Sequence, residues 1–242
     1  MNSPATNASD SSVLEKQVGS RPATAASPRQ RWLSFTELAI GAVIVIGHNV
    51  FRVIPNEVPI LFALGLLSAR VREGSWTAMG LKWPSSWTRT VLFALFVAAI
   101  RILLGALVVD PLTAHFWPAA TAPSGTEQIH GHVLVALHWL LLVWTFAAFG
   151  EEISYRGYLL NRAADVGRRT RLASWAGVLI SATLFGYGHY YKGPAGIVDS
   201  GMAGLVLGAA YILSRRNLWV CILAHGFIDS FGIVALFFGW MS

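Results

Sequence analysis

Charge and cysteine are what this chain has least of. Only 12% of its 242 residues are charged, about half the share usual in soluble domains. A single cysteine, Cys221, excludes an intramolecular disulfide and any multi-cysteine metal site. Acids number twelve against eighteen bases, for a formal charge of +6. The bases lie in short links between apolar runs, as membrane-protein loops require, so a nucleic-acid partner is not expected. Lysine is rare, with three against fifteen arginines. Residues 1–31 hold no apolar core segment, so no secretory signal is visible there. That stretch is rich in Ser, Ala, Thr and Pro. It cannot bury enough surface to offset its ordering entropy, so a disordered tail is expected over 1–31.

Apolar residues are plentiful, at 55% with a mean hydropathy of +0.55. A spanning helix needs about 20 of them. Candidate spans are 33–51, 56–69, 89–109, 133–152, 172–190, 195–213 and 218–240. The expectation for 32–242 is an all-α, polytopic membrane bundle of about seven helices, within a range of six to eight. Fifteen of the eighteen bases fall in the tail and in links 70–89, 153–171 and 214–217. The rule that inner loops are the basic ones therefore puts these segments and the N-terminus in the cytoplasm. Link 110–132 has no Lys or Arg and reads as an outer loop or interfacial helix. Gly201, Gly204 and Gly208 form a small-residue stripe suited to close helix packing. Arg101 interrupts the third span. It can snorkel, pair with a carboxylate such as Glu152, or bind a substrate carboxylate.

Three stretches put ionisable groups on apolar helices, where such groups are site candidates by default. In "FGEEISYRGYLL" (149–160), Glu152 and Arg156 are four apart and share a face, with acid before base. Glu151 points about 100° away from Glu152 on the α-helical wheel, which frees it to face a cavity. In "ATLFGYGHYY", Phe185 sits one turn before His189. In "CILAHGFIDS", His225 and Asp229 are four apart inside the last apolar run. Two imidazoles with carboxylates suit hydrolysis, in which a carboxylate acts as general base on water. Two histidines and a carboxylate also suit a catalytic zinc with one open position. The candidate ligands are Glu151, His189, His225 and Asp229, and these residues leave open whether a metal is used. Cys221, four before His225, reads as a small buried apolar residue in preference to a thiol nucleophile.

In their order along the chain, Glu151-Glu152…Arg156, Phe185…His189 and His225…Asp229 resemble the signature of the CAAX-protease and bacteriocin-processing (CPBP, or Abi) family. Within that family the chain is similar to the type II CAAX prenyl endopeptidases. The resemblance covers roughly 79–240. It implies an all-helical intramembrane protease, with or without a metal, acting near the cytoplasmic side. By it, Glu151 activates water with help from His189. His225 and Asp229 stabilise the oxyanion or bind an ion, while Glu152 and Arg156 shape the site. The eukaryotic members have asparagine where Asp229 stands. Asparagine donates a hydrogen bond to an oxyanion and an ionised aspartate does not, so Asp229 is better suited to orient His225 or bind a cation.

The leading expectation is thus an intramembrane endopeptidase acting on a membrane-bound or lipidated peptide or protein, in a bacterial inner membrane. The rival is a non-catalytic membrane partner or immunity-type protein that keeps the scaffold. The shared site also sets a geometric condition. The fourth span runs inward to Glu151 and the fifth outward to His189. They meet only if the fourth helix continues through "ISYRGYLLNRA". Glu151 must also lie within about 10 Å of His189 or His225.

Overall fold

The computed structural model describes residues 27–118 and 126–240. Most of the expected tail lies outside them, as do residues 119–125 of the outer link. The first helix begins earlier than expected, inside the tail segment. Ser27 and Gln30 form a reciprocal capping box, and Pro28 occupies the first turn, where its missing N–H costs nothing.

Among the described residues, seven helical rods follow one another. They are α1 (Pro28–Asn49), α2 (Glu57–Glu73), α3 (Trp87–Phe116), α4 (Val133–Val166), α5 (Arg171–Tyr187), α6 (Gly193–Leu213) and α7 (Leu218–Phe238). Short polar residues start them. Asn56, Ser86, Thr170 and Asn217 each accept a hydrogen bond from an orphan N–H of the first turn. Five rods are long and apolar enough to cross a membrane; α2 and α5 are 17 residues each. Many large apolar side chains face outward, Leu134 and Leu172 above 80% exposed among them, as contact with hydrocarbon would require.

Two rods outrun their expected ends. The third continues through a π-helical turn at Gly105–Val109 into Asp110–Phe116, residues expected as outer loop or interfacial helix. The fourth runs unbroken to Val166, far beyond Glu152. It is wound mostly as π-helix, over Val143–Glu151 and Ile153–Leu160. Polar side chains along it capture backbone carbonyls: Thr145 donates to Leu141 O, Ser154 to Gly150 O and Asn161 to Gly157 O. Such back-bonding competes with the regular ladder and suits a wider winding.

α4 is the axis of the bundle and packs on α1, α2, α5, α6 and α7. α3 sits outside it, against α6 and α7. The small-residue stripe does its expected work: Gly204 and Gly208 lie on Ala182 and Val178 of α5. Arg101 meets neither Glu152 nor water alone; it pairs with Asp199 of α6. At one end, Arg162 of α4 is 3% exposed. It donates to Glu37 (2.8 Å), Glu73 (2.7 Å), Asp165 (2.9 Å) and Ser68 (2.8 Å), tying α1, α2 and α4 together.

Candidate active site

The site is built on the π-helical part of α4. Glu152 is fully buried, and one of its oxygens accepts from Arg156 at 2.7 Å, the pairing expected from their spacing. That same oxygen lies 2.7 Å from His225 Nδ1. This second contact was not expected. It joins α4 to α7 and fixes the imidazole of His225 through a charge-assisted bond.

The other ring nitrogen of His225 then faces two carboxylates. Nε2 is 4.0 Å from Glu151 Oε2 and 3.4 Å from Asp229 Oδ2. Glu151 Oε2 is buried and has no hydrogen-bond partner. The two glutamates are thus separated as the wheel proposed: Glu152 is locked into the scaffold and Glu151 is free. Glu151 also satisfies the distance condition for a shared site, through His225.

Phe185 of α5 is the hub of the apolar side. Its ring lies 4.8 Å from His189, 6.0 Å from His225 and 5.0 Å from Tyr155, centroid to centroid. The guanidinium of Arg156 sits 4.5 Å above it, a cation–π contact in a dry place. His189 follows the end of α5, and its Nδ1 donates to Phe185 O at 2.9 Å. A carbonyl only accepts, so this bond leaves Nε2 with its lone pair available.

The close approach of α4 and α7 depends on Gly226, beside His225. A Cβ there would come within 2.5 Å of the Trp144 ring. Trp144 in turn donates to Ser230, next to Asp229, at 3.1 Å. Neither contact carries a signal in the sequence, because each joins residues more than eighty positions apart. Cys221 is buried and donates to Leu207 O at 3.4 Å, pointing away from the imidazole chemistry.

Among the described residues, no three His, Cys, Asp or Glu side chains are grouped as a metal ion would require. The zinc set of two histidines and a carboxylate is not assembled. His225 is held by Glu152, His189 hangs on Phe185 O, and the Phe185 ring lies against both. What the arrangement can do with its own side chains is hold a water between Glu151 and the imidazole of His225.

No curated protein and no solved structure matches the chain. A family model matches within the 79–240 region over which the resemblance was read. Residues 133–231 match the model of the type II CAAX prenyl endopeptidase Rce1-like family, and Glu151, Glu152, Arg156, Phe185, His189, His225 and Asp229 all fall inside the match.

Proposed function

We propose that this membrane protein is an intramembrane endopeptidase that hydrolyses a peptide bond with a water activated by Glu151. The observation that carries the reading is the buried, unpartnered Oε2 of Glu151, 4.0 Å from His225 Nε2. A carboxylate oxygen left without a donor in a dry site is a ready acceptor for a water proton. Glu152 and Arg156 keep the α4 winding and His225 in register, so the free glutamate and the imidazole face one another. His189 Nε2, with its lone pair free, accepts a proton from the same water or passes one to the leaving amine. Held at Nδ1 by Glu152, the protonated His225 turns its Nε2–H from Asp229 to the developing oxyanion, and the Asp229 carboxylate favours that protonated ring, a role asparagine lacks.

The substrate is a membrane-bound or lipidated peptide or protein. The basic links put the N-terminus and the 70–89, 153–171 and 214–217 segments in the cytoplasm of a bacterial inner membrane, with the site reached from that side. The seven rods act as seven spans, with α2 and α5 crossing as short helices. The test is comparative proteomics of membrane peptides from cells making the wild-type protein, Glu151→Ala or His189→Ala at equal level. Cleaved termini present with wild type and absent with both variants are expected. Unchanged termini in both variants would sink the mechanism.

A further inference from the structure

The family domain begins at α4, yet one buried carboxylate next to the site comes from α2, outside it. Glu57 is 6% exposed. Its Oε1 lies 3.5 Å from the position a Cβ on Gly188 would take, one residue before His189. The Tyr155 hydroxyl lies 2.7 Å from that same point. Two polar groups from α2 and α4 therefore converge on the turn that carries His189. Only glycine at 188 leaves room for them.

Neither group meets a Lys or Arg side chain among the described residues. Tyr155 is 1% exposed, and its hydroxyl is turned to Gly188. Glu57 has no Lys or Arg partner among them; its ion-pair contact is His48 Nε2 at 3.3 Å. His48 donates its Nδ1 hydrogen to Ile54 O at 2.9 Å. Nε2 faces Glu57, and this histidine is the one base that the carboxylate meets among the described residues. The guanidinium of Arg156 is turned to Glu152 and the Phe185 ring and forms no ion pair with Glu57, while Glu151 and Asp229 have His225 beside them. Buried carboxylates of this kind call for a cation or a strong donor from outside.

We propose that Glu57 and Tyr155 form a subsite beside His189 that receives a positively charged side chain, lysine or arginine, of the bound peptide. The inference rests on the endopeptidase reading for its substrate class. Glu57 supplies the charge, and the Tyr155 hydroxyl accepts one hydrogen of the ammonium or guanidinium. Tyr155 is held against Phe185, which places the subsite and His189 on one aromatic support.

The experiment uses the full chain in phosphatidylcholine nanodiscs, whose neutral headgroups give a cationic probe no general attraction. The probes are palmitoylated pentapeptides, identical except for lysine or norleucine at each position in turn. Binding and cleavage are read separately. At one position, wild type is expected to bind the lysine peptide about tenfold more tightly, as a partly desolvated charge pair allows. Glu57→Gln should abolish that preference and Tyr155→Phe reduce it, with norleucine binding unchanged in both. Norleucine binding also reports that each variant is folded. Equal binding of both probes by wild type, or a lysine preference intact in Glu57→Gln, overturns the subsite. So does a lysine preference that appears only with added zinc, which would make this a metal site. A lysine preference without cleavage keeps the subsite and sinks the endopeptidase. Cleavage without the preference does the reverse.

Discussion

At the scale of single residues, the site is a division of labour between neighbours. Glu151 and Glu152 are adjacent, yet one is free and the other carries two bonds. Glu151→Ala and His189→Ala should each lower the cleavage rate by about 10²–10⁴-fold, the usual worth of a general acid or base. Both changes should leave thermal unfolding in detergent nearly unmoved. Cys221→Ser should keep full activity, because the thiol is buried and turned to Leu207 O; loss of peptidase activity in that variant would revive a thiol mechanism. Much of this was legible, since the i, i+4 spacing of Glu152 with Arg156 and of His225 with Asp229 is local information. The bond from His225 to Glu152 was not, because it joins residues 73 positions apart. Glu57 was hidden for another reason. It sits beside two prolines at the start of a short span, where a charged residue reads as an ordinary helix start.

At the scale of the element, α4 departs most from what its residues suggested. Its apolar run predicted a helix, and it is one, but the winding is π over most of Val143–Leu160. Hydrophobic pattern reports which residues are buried and says little about which carbonyl each N–H chooses. The i, i+4 pair survives because four residues remain close to one turn in the wider winding. Deleting one residue between Val143 and Phe149 should relax the helix toward α winding. Everything beyond would turn by about 100° relative to the outer half. The expected outcome is a folded, membrane-inserted protein with normal helical circular dichroism and no cleavage. Retained cleavage would mean that the winding is incidental to the site. The end of α3 was left open between loop and interfacial helix: "DPLTAHF" has the proline and polar residues of a loop, yet the chain stays helical through it, with Pro111 just past the π turn at Gly105–Val109.

At the scale of the molecule, five of the described rods pack around α4 and α3 lies outside them, and their order along the chain was readable from apolar run lengths. Orientation is open to a direct test in a Cys221→Ser background. A membrane-impermeant thiol reagent should label Trp117→Cys in intact cells, and Arg215→Cys only once the membrane is opened. The opposite pattern would invert the topology. The charged knot at Arg162 left no clear trace in the sequence, since its partners come from three rods. Arg162→Met should lower stability by about 3–5 kcal/mol, because it strands Glu73, which has no other ion-pair partner among the described residues, and takes one donor each from Glu37 and Asp165, which keep Arg72 and Arg169. Thermal unfolding with and without the substitution measures it. The knot also has a mechanical meaning. Rods α1, α2 and α4 are pinned at one end to a single guanidinium, so they swing together or not at all. A substrate that needs the bundle to part must be admitted where no ion pair crosses among the described residues, along the seam of α3 with α7, since Arg101 and Asp199 already pin α3 to α6.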